Sequence, residues 1–191
     1  MKIGLFFGSF NPVHNGHMVI GSYMAEFTDL DQVWFVVSPH NPHKLKQTLL
    51  QDHHRLALLK AAIGDNRKLK ASDIEFKLPK PSYTVHTLAY LKEKFPSHQF
   101  ALILGSDNLA TFHKWKNYEQ ILEWHELYVY PRRNESESEL ASHPKVKMIE
   151  APLMELSSTF IRNAIREKKD VRYMLPQNVW EYIDEMNFYR S

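Results

Sequence analysis

The sequence predicts an α/β fold, a doubly wound parallel sheet, and three features predict it. Ile3-Gly4-Leu5-Phe6-Phe7, Gln32-Val33-Trp34-Phe35-Val36-Val37 and Gln99-Phe100-Ala101-Leu102-Ile103-Leu104 are almost continuously apolar, as parallel strands covered on both faces are. Stretches with apolar residues at helical spacing alternate with them. The connections are each short enough for one right-handed crossover. A chain of 191 residues fits one such domain, residues 1–191, and buries about 70% of the surface its unfolded form exposes. No repeat, low-complexity tract or linker divides it.

The first strand ends in Gly8-Ser9, crosses a turn containing Pro12 and enters a helix near Asn15. That helix should run to about Thr28, with Met18, Gly21 and Met24 or Ala25 on its inner stripe. The backbone N–H groups at such a helix start point outward unpaired, and the aligned peptide dipoles add positive charge, so anions collect there. His14 and His17 are three residues apart, so both rings can lie on one side of this N-terminus. Each can donate a hydrogen bond to a phosphate oxygen, more strongly if it carries charge. Gly8 and Gly16 remove the Cβ where a nucleotide must approach the backbone. A bare His-x-x-His reads equally as a buried structural pair or half of a metal site; the strand and the Gly-x-Phe-x-Pro before it turn the reading toward nucleotide phosphate.

After the second strand, Ser38 to Lys46 has two prolines and no periodicity, a loop at the edge where open α/β sheets bind ligands. Lys44 or His43 can reach a phosphate from it; the alternative is a solvated basic loop. Gln51 to Ile63 is a helix with Leu56, Leu59 and Ile63 inward, Asp52 in its first turn and Gly64 at its stop. Arg55 on it reads equally as a surface cation, a helix partner or a ligand. Leu69 to Phe76 is a short strand region, and Leu78-Pro79-Lys80-Pro81 is extended. Ser82-Tyr83-Thr84 precede a helix marked by Val85, Leu88, Leu91 and Phe95. Ser82 serves as its N-cap, or these hydroxyls and amides bind a carboxylate.

Gly105-Ser106-Asp107 ends the Gln99–Leu104 strand as Gly8-Ser9 ends the first, with Asp107 suited to ribose hydroxyls or to loop amides. Trp115, between Lys114 and Lys116, is a half-buried packing residue or a stacking platform. Glu126 to Tyr130 is a fifth strand followed by Arg132 and Arg133, Asn134 to Ser142 a polar surface segment or short helix, and Val146 to Ile149 a last strand. Ser157-Ser158-Thr159 dress another helix start, as plain caps or as phosphate ligands, with Arg162 within two turns. Hydroxyl-bearing helix starts and one arginine facing a single cleft match a triphosphate. Arg166, Lys168, Lys169 and Arg172 read as solvated charges. The last helix, from Pro176 through Trp180 and Ile183, packs at the end of the domain.

Composition narrows the chemistry. There is no cysteine, which excludes disulfides, thiolate nucleophiles and thiolate metal ligands. No basic stretch with an apolar h-region opens the chain and no apolar run approaches about 20 residues, so a cytoplasmic protein without a membrane span is expected. A net charge of +2 argues against nucleic acid as the main partner. Neither the Gly-x-Gly-x-x-Gly of dinucleotide oxidoreductases, nor a P-loop, nor His-Glu-x-x-His occurs.

The block Gly8-Ser9-Phe10-Asn11-Pro12-Val13-His14-Asn15-Gly16-His17 resembles the G-x-F-x-P-x-H-x-G-H signature of the nucleotidyltransferases that carry an H-x-G-H motif. Pro81-Ser82-Tyr83-Thr84, Gly105-Ser106-Asp107 with Trp115, and Ser157-Ser158-Thr159-Phe160-Ile161-Arg162 resemble, in that order, the bacterial nicotinate-nucleotide adenylyltransferases over essentially the whole chain. The resemblance implies a Rossmann-like nucleotidyltransferase fold. It implies transfer of the adenylyl group of ATP to nicotinate mononucleotide, giving deamido-NAD and pyrophosphate, with Mg2+ accompanying the ATP and no protein-held metal. His14, His17, Lys44 and Arg162 would be catalytic. Gly8, Ser9, Phe10, Gly16, Gly105, Asp107, Ser157, Ser158 and Thr159 would bind ATP. Tyr83, Thr84, Trp115 and Arg132 would bind the mononucleotide, Trp115 stacking on the pyridine. Two positions depart from the pattern: His86 replaces the acid of many relatives, and Pro131-Arg132-Arg133 replaces Arg-Pro-Gly. The alternatives are a relative acting on nicotinamide mononucleotide or phosphopantetheine, a nucleotide-binding module without turnover, and a His-rich metallohydrolase. The protein is expected as a monomer or homodimer.

Overall fold

The structure is a computed structural model in which residues 1–39, 49–133 and 138–190 are described. Six strands, β1 (Lys2–Gly8), β2 (Gln32–Val37), β3 (Leu69–Ser72), β4 (Gln99–Gly105), β5 (Leu127–Tyr130) and β6 (Val146–Met148), form one sheet in the order β3-β2-β1-β4-β5-β6. Each neighbouring pair is parallel. The order reverses between β1 and β4, which puts a crevice at the carboxyl ends of those two strands, the position at which open α/β sheets bind ligands.

Alternation along the strands explains the two-sided core. Ile3 and Leu5 of β1 bury against α3 (Thr84–Lys94), α4 (Ser106–Ala110) and α5 (Tyr118–Trp124), through Leu88, Leu91, Leu109 and Ile121. Phe6 faces the other way, toward α1 (Asn15–Phe27), α2 (Asp52–Ile63), α6 (Ser158–Arg166) and α7 (Gln177–Glu185), through Ile20, Leu58, Ile161 and Ile183. Helix α1 lies close on the sheet: a Cβ at Gly21 would stand 2.2 Å from the Phe35 ring. Among the described residues no helix is long and apolar enough to cross a membrane.

Local differences from the sequence reading have physical causes. The Leu69–Phe76 strand region stops at Ser72, where its pairing with β2 ends; a 3-10 turn, Ile74–Lys77, follows and buries Ile74 and Glu75. Ser82 is not the N-cap of α3. Tyr83 occupies that position, and the Ser82 hydroxyl is donated to Glu75 at 3.3 Å. Helices α4 and α5 go unread in the sequence because five and seven residues are too few for a 3.6-residue period to show.

Candidate active site

The turn leaving β1 is built from inside. Phe10 has φ of 45°, a left-handed conformation that a bulky residue adopts only when its surroundings dictate it. Its ring is the reason: it is 2% exposed and packs edge-on against Phe6, Phe35 and His17. Its ring belongs to the core, so what Phe10 presents on the turn is its backbone. The two glycines answer to the same packing. A Cβ at Gly8 would lie 2.9 Å from the Phe10 ring and force a shift, and one at Gly16 would lie 3.1 Å from the His14 ring, a tight approach.

The peptide bond Asn11-Pro12 is cis, and Asn11 is a junction that the sequence reading passed over. Its carbonyl accepts Arg162 Nη1 at 2.8 Å. Its side-chain oxygen accepts the Tyr189 hydroxyl at 2.8 Å and the Leu50 amide at 3.2 Å. Arg55, read as a surface cation, a partner or a ligand, is fully buried and donates to the carbonyls of Ser9 and Ser38 at 2.6 and 2.8 Å. Neither role was visible in the sequence, because each partner is remote along the chain.

His14 caps α1 and stacks on His17, ring centroids 3.7 Å apart and 24° from coplanar. The His14 amide donates to His17 Nδ1 at 3.3 Å. That bond requires an unprotonated Nδ1, which leaves the His17 proton on Nε2. His14 Nδ1 has no hydrogen-bond partner among the described residues. Burial, aided by the Arg132 charge, depresses His14 to about 4; burial, His14 and Arg132 hold His17 well below the ordinary imidazole value. Both rings are neutral at pH 7, and the charge that the sequence reading allowed them is absent. Unfolded imidazoles titrate near 6.5, so between there and about pH 4 the unfolded chain binds a proton that folded His14 refuses. Stability should fall as pH drops through this window, by about 3 kcal/mol from His14 at its acid end. Urea unfolding at pH 7 and pH 4 should show a smaller loss for His14→Gln than for the unaltered protein.

Arg132 joins this site from the end of β5. Its amide donates to Ser106 Oγ at 3.0 Å and its Nη1 to the Met154 carbonyl at 3.1 Å, while Nε stands 3.9 Å from Asp107 and makes no hydrogen bond among the described residues. Asp107, in the first turn of α4, is half-exposed. A cavity of about 370 Å³ opens among Asp107, Arg132, Arg133, Met154 and Glu155. A larger one of about 600 Å³, between α3 and α5, contains none of the predicted site residues, and its mainly apolar wall does not suit a triphosphate.

Helix α6 reaches the same turn. Ser157 is its cap, accepting the Phe160 amide at 3.2 Å, so for Ser157 the capping reading holds. Ser158 donates to the Pro12 carbonyl at 2.8 Å, and Thr159 Oγ1 accepts Arg162 Nη2 at 3.2 Å. On the far side, the Lys116 ammonium lies 4.4 Å above the Tyr83 ring, which joins the Trp115 segment to the start of α3 at Tyr83 and Thr84. Trp115 is half-buried and packs at 4.9 Å on Phe112. Lys44, with His43, falls among residues 40–48, outside the described residues.

A family model described as cytidylyltransferase-like matches residues 5–164. The chain is 61% identical to a protein of Flavobacterium johnsoniae named probable nicotinate-nucleotide adenylyltransferase, over all of both chains. It is 58% identical to the protein of that name from Flavobacterium psychrophilum, again over all of both. The fold matches that of Plasmodium falciparum nicotinic acid mononucleotide adenylyltransferase complexed with NaAD, with a TM-score of 0.82 at 21% identity, covering 98% of this chain and 97% of that one.

Proposed function

The chain belongs to the cytidylyltransferase-like family and, within it, to the nicotinate-nucleotide adenylyltransferases, and from that premise we infer that it transfers the adenylyl group of ATP to nicotinate mononucleotide. The products are deamido-NAD and pyrophosphate, a step in NAD biosynthesis. The observation that carries the chemistry is the stacked, uncharged His14–His17 pair at the start of α1, with His17 Nε2–H free of the bond made by Nδ1.

A neutral pair fits this reaction. The mononucleotide phosphate is already an anion at pH 7, so no proton has to be removed from the nucleophile and no general base is needed. An oxygen of that phosphate attacks the α-phosphorus in line; the new O–P bond forms as the bond to pyrophosphate breaks. What the protein supplies is donors fixed where charge collects, which is worth most in a partly dry site. In this proposal His14, His17, the backbone of Gly8, Ser9, Phe10 and Gly16, and the N–H groups that Arg162 keeps beyond Asn11 and Thr159 receive the triphosphate. Ser158 and Thr159 hold α6 against the turn, with Ser157 as its cap. Gly105 brings Asp107 to a ribose, and Lys44 adds charge to the phosphate side. Arg132 meets the acceptor phosphate, Tyr83 and Thr84 with the α3 amides take the pyridine carboxylate, and Trp115 stacks on the ring. Mg2+ belongs to this scheme as the companion of ATP: imidazoles, guanidinium and hydroxyls around the turn are donors for phosphate oxygen and are not the carboxylate oxygens that Mg2+ prefers. We read the whole chain as a single catalytic domain acting in the cytoplasm.

Pyrophosphate release tests the reading. With MgATP, release should require nicotinate mononucleotide, with nicotinamide mononucleotide and phosphopantetheine slower by roughly tenfold or more, since a site built around one polar group discriminates against its absence. ATP binding with no release from any acceptor would leave a nucleotide-binding module instead. Trp115→Ala should raise KM for the mononucleotide by about 5–100-fold, the value of one stacked ring, and leave ATP affinity unchanged.

A further inference from the structure

Away from the turn, a second set of buried polar groups takes no part in the reaction. Arg55 donates Nη1 to the carbonyls of Ser9 and Ser38, Nε to the Leu50 carbonyl at 3.0 Å and Nη2 to Asp52 at 2.6 Å. Glu75 is 3% exposed. Its carboxylate accepts Thr87 Oγ1 at 2.8 Å and Ser82 Oγ at 3.3 Å, and the Ser38 hydroxyl lies beside it, favouring its charged form. Ser38, the residue after β2, thus stands between the two groups, its carbonyl accepting from the cation and its hydroxyl beside the carboxylate. Through it the turn after β1, which bears Ser9, is tied to the first turn of α3, which bears Thr87 beside Tyr83 and Thr84.

Burying a guanidinium and a carboxylate is costly, and an apolar pair could fill the same space. What an apolar pair lacks is direction, because dispersion contacts tolerate sliding that hydrogen bonds do not. The reaction inferred above needs such direction: its two substrates bind on separate segments and must meet at about 3–3.5 Å, where an error of about 1 Å costs about a hundredfold in rate. We propose that Arg55 and Glu75 are positioning residues that set the spacing between the phosphate turn and the helix start that receives the pyridine. The proposal rests on the adenylyl-transfer reading of this same site.

Thr87→Val and Glu75→Gln test it without a change of size. Both variants should melt cooperatively and bind ATP alone and nicotinate mononucleotide alone within about 2–3-fold of the unaltered protein. Deamido-NAD, which spans the two segments, should bind about tenfold more weakly, and kcat should fall by about tenfold or more. A general loss of stability would not single out the spanning ligand in this way. Unchanged deamido-NAD affinity and kcat would overturn the proposal. So would a loss of mononucleotide affinity as large as that for deamido-NAD, which would make Glu75 a wall of the acceptor pocket. An unaltered protein that binds ATP but neither mononucleotide nor deamido-NAD would remove the adenylyl-transfer reading and the positioning role with it, an outcome no variant can mimic.

Discussion

His17→Ala should lower kcat by roughly 10²–10³-fold, the equivalent of about 2.7–4 kcal/mol for the loss of one preorganised donor at a centre of developing charge. The structure sharpens the expectation. With Nδ1 accepting from the His14 amide, the ring is fixed in one tautomer, and stacking on His14 fixes its plane, so the transition state forms without reorienting it. ATP affinity should change far less than turnover, because the ground-state triphosphate keeps the backbone amides and the arginines. The variant also removes the acceptor for the His14 amide, so rates should be measured well below its unfolding temperature. A turnover number near that of the unaltered protein would take His17 out of the mechanism.

Arg55→Met should lower unfolding free energy by about 3 kcal/mol or more, because several buried acceptors lose a charged donor at once and each such loss costs about 1–3 kcal/mol. The change strips donors from the Ser9, Ser38 and Leu50 carbonyls together and leaves Asp52 without its guanidinium. Methionine fills most of the volume, so the loss reports hydrogen bonding more than cavity formation. Arg172→Met, at an arginine paired on the surface with Asp170, is the control and should leave the urea midpoint unchanged. A midpoint for Arg55→Met as high as that control would mean that water replaces the guanidinium.

The contrast between these two residues shows which parts of the site can be read in a sequence. His17 stands in a dense local motif after an apolar strand, and its neighbours in the chain are its neighbours in space; His14 and Gly16, which shape its surroundings, lie within three residues. Arg55 lies on a helix that also carries exposed polar residues such as His53 and Lys60. Apart from Asp52, three residues before it, its partners come from positions 9, 38 and 50, and a carboxylate at that spacing is equally the mark of a surface helix pair. Glu75 and Tyr189 were missed for the same reason. Phe10 shows a different limit: its place in the motif is legible in the sequence, but that its ring belongs to the core is decided by Phe6, Phe35 and His17.

By itself the sequence determined the class of fold, the order of its main strands and helices, and the turn on which the proposed phosphate chemistry centres, because each depends on hydrophobic periodicity and backbone sterics that operate over a few residues. Only the tertiary structure decided that burial, aided by Arg132, keeps both imidazoles uncharged, and that a buried cation and a buried carboxylate face each other across Ser38. Those outcomes depend on burial and on distances between groups far apart in the chain, and folding alone sets both.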